Sequence, residues 1–72
     1  MSERLKMMIR ALRDMGFEWT EIADDAGVTI PTITNGMRGT ATSGNNERKL
    51  ESAFRRLIEK RENQVNLAKE LI

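Results

Sequence analysis

Residues 19–38 read WTEIADDAGVTIPTITNGMR, and the spacing of small and apolar residues in this stretch decides the fold. Ile22, Ala23 and Ala26 share one face of a short helix, and Ala23 is small enough to let a second helix approach closely. Gly27 follows as the stop, because the residue just past a helix often takes a positive φ that glycine adopts without steric penalty. The first half of the stretch therefore predicts a short helix that ends at a tight turn.

The second half of the stretch carries the signals of a new helix that returns toward the first. Thr29 can cap it through its hydroxyl, and Pro31 suits the first turn because its missing N–H would have no intrahelical partner there. Val28 fills the corner between the two helices, and Ile33 points back toward Ala23. The whole stretch thus predicts two short helices that cross at a glycine turn.

Three residue pairs carry a resemblance to a known family: Ile22-Ala23, Gly27-Val28 and Thr32-Ile33. Their joint spacing around the turn resembles the helix-turn-helix of phage repressors and Cro-type proteins, and residues 16–23 are similar to the lead-in of many bacterial DNA-binding domains. The resemblance covers about a third of the chain. It implies an all-α, four-helix, repressor-like domain that binds double-stranded DNA.

Two positions depart from the repressor pattern. Glu18 stands where Ser or Thr usually caps the first helix of the motif, and Gly36 occupies a late position of the second helix that is usually large and apolar. Because glycine weakens a helix interior, the pattern leaves open whether the second helix ends early.

The composition excludes most enzyme and metal chemistry. Seventy-two residues make one small domain that buries little surface, so a partner subunit would add stability. The chain has no Cys and no His, which removes disulfides, thiolate or imidazole metal ligands and the usual pairs of nucleophile and base. Asp24 and Asp25 are adjacent on a helix, diverge by roughly 100° and are interpreted as a solvated face. We expect a protein that is not an enzyme and uses no metal or cofactor.

The sequence shows neither a membrane segment nor an export signal. No stretch approaches the ~18 uninterrupted apolar residues of a membrane span, and the first residues, MSERLK, lack the apolar run of a signal peptide. We expect a cytoplasmic protein without a membrane partner.

Hydrophobic periodicity and capping residues predict four helices, with approximate ranges 3–15, 19–26, 30–37 and 47–72. The polar loop 39–46 separates the third helix from the fourth, and Asn46 or Asn45 is expected to cap the fourth. The fold class is all-α, a four-helix repressor-like domain with a long C-terminal helix. We divide the chain into a helix-turn-helix DNA-binding domain, 1–58, and a C-terminal helix extension, 59–72, expected to serve in dimerisation.

The fourth helix is too long for its whole length to pack against so small a domain. Its first half carries a wide apolar stripe expected to close the core, made of Leu50, Ala53, Phe54, Leu57 and Ile58. Its second half narrows to the seam spacing of a short coiled coil, and we predict that homodimerisation uses Ile58, Arg61, Val65, Ala68, Leu71 and Ile72. The alternative is that residues 64–72 fray or fold back on the same subunit, because short isolated helices are marginal in water.

The resemblance also assigns roles on the second motif helix, which carries no charge from Thr29 to Met37. By the docking of repressor-type motifs, the residues facing the major groove would be Ile30, Pro31, Thr34 and Asn35. An Asn carboxamide can pair with N6 and N7 of adenine, a Thr hydroxyl suits either base type, and Ile packs against a thymine methyl. We therefore expect A·T-leaning recognition that is assisted by DNA shape.

The net charge of +1 is low for a DNA-binding domain, so the placement of charge matters more than its total. Arg38, Arg48 and Lys49 flank the second motif helix and the polar loop, where a duplex backbone would pass. The full set of predicted backbone contacts is Trp19, Thr20, Thr29, Thr32, Arg38, Thr40, Thr42, Ser43, Arg48 and Lys49. Ordinary solvation explains the loop hydroxyls equally well, and Trp19 also suits the rim of the core.

These features predict a small sequence-specific transcriptional regulator of repressor or Cro type, of phage or mobile-element origin. A homodimer would bind a palindromic operator with half-sites roughly 34 Å apart or a multiple of that distance. Two alternatives stay open. The scaffold can serve as a protein-binding antagonist of another transcription protein, which the neutral motif helix favours, or as a DNA-packaging or assembly subunit whose last helix oligomerises.

Overall fold

The computed structural model describes residues 1–72 as four α-helices without a strand. The helices are α1 (Glu3–Asp14), α2 (Trp19–Ala26), α3 (Ile30–Met37) and α4 (Gly44–Glu70). The all-α fold class is confirmed, and α1, α2 and α3 have the predicted bounds to within one residue. The exception is α4, which begins one turn before its predicted start.

The first three helices begin with local hydrogen bonds to backbone N–H groups that have no intrahelical partner. Ser2 Oγ and Thr29 Oγ1 each accept a hydrogen bond from the backbone N–H three residues later and so cap α1 and α3. At the start of α2 the Glu21 carboxylate accepts from the backbone N–H of Glu18 at 3.1 Å. A carboxylate in the first turn thus helps to start α2 although Glu18 replaces the usual Ser or Thr.

The start of α4 corrects the sequence prediction. Ser43 Oγ accepts from the backbone N–H of Asn46 at 3.1 Å, so Ser43 is the cap, and the prediction of Asn46 or Asn45 is wrong. The Glu47 carboxylate in this first turn accepts from the backbone N–H of Ser2 at 2.9 Å. This long-range contact ties the start of α4 to the start of α1 and favours the earlier cap.

The turn between α2 and α3 depends on one glycine. Gly27 has φ 71° and ψ 35°, in the left-handed region. Its N–H and that of Val28 donate to the carbonyl of Ala23 at 2.9 and 3.1 Å, which satisfies a carbonyl at the end of α2. The chain can then reverse into α3 within two residues.

Gly36 has a different role, which is close packing. It is buried, and a Cβ built on it would lie 2.5 Å from Met1 Cε and 2.8 Å from Thr42 Oγ1. The N-terminal residue and the loop therefore occupy the place of a side chain. α3 does not end early at this glycine and continues to Met37.

The four helices share one hydrophobic core, and α4 packs against both α1 and α2 while α3 packs on α2. The core consists of Leu5, Ile9, Leu12, Phe17, Ile22, Ala23, Ala26, Ile33, Leu50, Ala53 and Leu57. Ile22 and Ile33 have no exposed surface. The crossing of α2 and α3 is thereby anchored on the first half of α4.

Two ion pairs link α4 to the other helices. Arg56 donates from Nε to Asp25 Oδ1 at 2.8 Å and from Nη2 to the Asp25 carbonyl at 3.1 Å. Arg4 donates to Glu51 Oε1 at 2.9 Å, and this hydrogen bond lowers the pKa of Glu51 below its ordinary value of 4.5. Both pairs lie on the surface, where they fix the orientation of the helices more than they add stability.

The second half of α4 extends beyond the core. The molecule measures 45 × 19 × 18 Å, and every residue from Glu62 to Ile72 is exposed. This segment therefore does not fold back on its own subunit. None of the helices has the length and apolar character that crossing a bilayer requires.

Candidate nucleic-acid interface

α3 has an inner side that belongs to the core and an outer side that faces solvent. Ile33 and Gly36 are buried, whereas Pro31 and Asn35 are exposed. Ile30 and Thr34 are half-buried at the edge between the two sides. Because positions three and four residues apart are neighbours on a helix, the structure brings Ile30, Pro31, Thr34 and Asn35 together as one outward surface.

The polar groups on this surface differ in their freedom to bind a ligand. Thr34 Oγ1 donates to the carbonyl of Ile30 at 3.3 Å, so its proton is used within the helix and its lone pairs remain available as acceptors. The carboxamide of Asn35 has no hydrogen-bond partner in the chain. Asn35 is therefore the side chain on α3 that can offer both a donor and an acceptor to a ligand.

The predicted hydroxyl contacts at the start of α3 are partly engaged with each other. Thr29 Oγ1 and Thr32 Oγ1 are 2.8 Å apart, and Thr29 Oγ1 also accepts from the Thr32 backbone. Thr29 is exposed and Thr32 is half-buried. These contacts show that their first role is to start the helix.

A polar depression of about 190 Å³ lies between α3, the loop and the first turn of α4. Its lining residues are Thr32, Asn35, Gly36, Thr40, Ala41, Thr42, Ser43 and Asn46. The structure thus brings the predicted loop hydroxyls next to the exposed amide of α3. The sequence predictions include no contact role for Gly36 or Asn46. The available signal is the glycine next to Asn35 followed by a loop of small polar residues, a combination that favours a concave surface.

The three cations predicted to contact phosphate are exposed and have no carboxylate partner within 4 Å: Arg38, Arg48 and Lys49. Five other basic residues are paired with acidic side chains, namely Arg4, Lys6, Arg13, Arg55 and Arg56. Arg38 caps the C-terminal end of α3, and Arg48 and Lys49 follow the first turn of α4. Arg38 therefore leaves an unpaired positive charge at the end of α3, whereas Arg48 borders a separate depression with Glu51, Ser52 and Arg55.

Trp19 and Thr20 begin α2 at the edge of the molecule. Trp19 is half-buried, and the Arg13 guanidinium lies 4.7 Å from its ring centroid. Arg13 also donates to the Glu18 carboxylate at 3.0 Å. Thr20 is exposed. The indole is thus fixed at the rim of the core by a cation–π contact, and Thr20 stays accessible.

The predicted dimerisation residues divide into two groups. Ile58 is half-buried against the core, and Arg61 donates to the Met15 carbonyl with its guanidinium 5.1 Å from the Phe17 ring centroid. Arg61 is therefore engaged within its own chain, where it caps the C-terminal end of α1. The second group, Val65, Ala68, Leu71 and Ile72, is exposed along the free part of α4.

No group of three or more Asp, Glu, His or Cys side chains is placed to hold a metal ion. No protein-family model matches the chain, and no match was found among curated proteins or solved structures.

Proposed function

We propose that this chain is a small sequence-specific DNA-binding transcriptional regulator, with α2 and α3 forming a repressor-like helix-turn-helix. The observation that carries the proposal is the outward side of α3. It presents the unpartnered carboxamide of Asn35 beside Pro31 and Thr34, and the unpaired cation Arg38 follows directly at the end of α3. A helix that projects an amide and apolar groups in this way fits the major groove of a duplex.

Base recognition would depend on Asn35. Its amide can donate to N7 of adenine and accept from N6, which is a bidentate pair worth about 1–3 kcal/mol of discrimination. Thr34 has only acceptor capacity left, and so it complements an amino group on adenine or cytosine. Ile30 and Pro31 add apolar surface for a thymine methyl.

Phosphate contacts would come from Arg38, Arg48 and Lys49, together with hydroxyls around the polar depression. Neutralising a phosphate releases counterions, so the logarithm of the binding constant falls with the logarithm of salt by about 0.9 per contact. Three contacts predict a slope of about −3 for each copy of the chain. Arg38→Ala should reduce the slope by about 1 and weaken binding to every duplex.

Two copies related by a two-fold axis would bind a palindromic operator, and the regulator would then act by occupying it. Its half-sites would be separated by about 34 Å or a multiple of that distance. Occupancy would depend on the concentration of the protein and on its assembly.

The test is a selection of random duplexes by the purified protein at moderate salt, followed by affinity measurements on the enriched sequence. Asn35→Ala should weaken binding to that sequence about 5- to 150-fold and leave binding to scrambled DNA nearly unchanged. Asn63→Ala is the matched control, because Asn63 is an exposed amide on α4 away from α3. Equal loss on both duplexes, or no enriched motif, would contradict the proposal.

A second candidate is a protein-binding antagonist of a transcription protein. The observation in its favour is that α3 carries no charged side chain from Ile30 to Met37, unlike a surface built around cationic contacts. Failure to retain any duplex, together with tight binding to another transcription protein that Asn35→Ala weakens, would favour this candidate.

A further inference from the structure

The free part of α4 carries an apolar stripe that the fold leaves uncovered. Ile58, Val65 and Ile72 are spaced by seven residues and so lie nearly in line along the helix. Ile58 is half-buried at the edge of the core, whereas Val65 is 43% exposed and Ile72 fully exposed. Ala68 lies one turn from Val65 on the adjacent side of the same stripe. We call these four residues the α4 stripe.

Two opposite charges border the α4 stripe on the same side. Glu62 and Lys69 are seven residues apart, and neither has an ion-pair partner within the chain. Shallow depressions along this side of the helix include Glu62, Val65 and Lys69 in one lining and Ile58 and Glu62 in the other. The stripe therefore has a row of complementary charges, negative nearer the domain and positive nearer the C-terminal end.

We propose that the occupant of the α4 stripe is a second copy of this chain, packed antiparallel through residues 59–72. A two-fold axis perpendicular to α4 places Glu62 opposite the partner's Lys69, and Lys69 opposite the partner's Glu62. One rotation thus forms two equivalent ion pairs. The same register sets Val65 next to the partner's Ala68 and lets Ile72 cover the exposed edge of the partner's Ile58.

A parallel pairing is less suitable for the same helix. In a parallel coiled coil the residue at the position of Glu62 neighbours the partner's Leu57, and Lys69 neighbours the partner's Gln64. Leu57 is 3% exposed because it belongs to the domain core, so it is not available to a second helix. Parallel helices would also bring two domains to the same end, whereas antiparallel helices keep them at opposite ends.

The overlap is short, and this determines the strength of the dimer. About fourteen residues span roughly 21 Å of helix, which gives an interface below the standard size for stable complexes. We expect association in the micromolar range, with the monomer predominant in dilute solution. This interface uses α4 alone and leaves α3 free to bind DNA.

The experiment is sedimentation equilibrium on the full chain from about 10 μM to about 1 mM, the range over which so small an interface dissociates. Wild type should show a monomer–dimer equilibrium. E62K and K69E should each raise the dimer Kd about ten-fold, because each replaces two attractive pairs with two repulsive ones. The double variant E62K/K69E should restore the Kd to within about two-fold of wild type.

Asn63→Lys is the matched control, since it adds a positive charge beside Glu62 but on the side of the helix away from the α4 stripe. It should leave the dimer Kd unchanged, and circular dichroism should show equal helix content in all variants. A wild type that stays monomeric at every concentration would overturn the proposal. So would a double variant that remains as weak as the single ones, because only the antiparallel register restores both pairs.

Discussion

Replacement of Gly27 by Ala tests whether the α2–α3 turn depends on backbone conformation alone. A Cβ at Gly27 would meet no atom within 4 Å, so steric overlap with the rest of the fold contributes nothing. The φ of 71° remains, and a left-handed conformation costs a non-glycine residue about 1–2 kcal/mol. Alanine also reduces the conformational entropy of the unfolded chain, which offsets about 0.4–1 kcal/mol of this cost. The net expectation is a destabilisation of about 1 kcal/mol.

Gly44 provides a matched control for the same substitution. A Cβ there would also meet no atom within 4 Å, but Gly44 is the first residue of α4 and does not have a positive φ. Gly44→Ala should therefore stabilise the protein by about 0.4–1 kcal/mol through the unfolded state alone. The two positions differ in φ, but at both of them an added Cβ meets no neighbouring atom.

Thermal unfolding monitored by circular dichroism separates the two variants. A domain of this size shifts its Tm by about 4–8 °C for each kcal/mol, so Gly27→Ala should melt several degrees below wild type and Gly44→Ala a few degrees above it. Gly27→Asn should lose less than Gly27→Ala, because Asn tolerates the left-handed region better. A Gly27→Ala variant as stable as wild type would refute the reasoning, since no compensating contact exists at this position.

Two further changes test the core and the surface. Ile33→Ala removes three buried carbons at about 0.8 kcal/mol each and leaves a cavity, so it should lower the free energy of unfolding by about 3–4 kcal/mol. Urea denaturation should show this loss as a large part of the total free energy of unfolding. Ile33→Val should lose only about 1 kcal/mol. The pKa of Glu51 is lowered in the folded state by the hydrogen bond from Arg4, so its contribution to stability is present above pH 4.5 and is lost as the pH falls through the folded pKa. Thermal melts should therefore show a difference between wild type and Glu51→Gln at pH 7 that disappears in acid, and a difference independent of pH would contradict this assignment.

The bounds of α2 and α3 could be predicted because their signals are local. Gly27 ends one helix by its own conformational freedom, and Thr29 with Pro31 begins the next within the same few residues. The start of α4 could not be chosen in the same way. Ser43, Asn45 and Asn46 are all good capping residues. The contact that favours Ser43 joins Glu47 to Ser2, which lies 45 residues earlier in the chain.

The prediction for Arg61 shows the limit of periodicity as a guide to a surface. Its spacing from Ile58 and Val65 fits a seam, and that spacing says nothing about where a long side chain places its charged end. The structure directs the guanidinium to the Met15 carbonyl at the C-terminal end of α1 and over the Phe17 ring. This arrangement depends on how α4 crosses the end of α1, which cannot be predicted from a short stretch of sequence.

The net charge of the chain is a poor guide to its affinity for a polyanion, and the ion pairs explain why. Counterion release depends on the cations that can approach phosphates, while the net charge counts every carboxylate equally. In this fold the carboxylates of Glu3, Glu18, Asp25 and Glu51 are paired with basic residues on α1 and α4. Arg38, Arg48 and Lys49 have no such partner. A chain with a total of +1 can therefore still offer three unpaired cations to phosphates, so the salt dependence of binding is expected to follow these three side chains and not the composition.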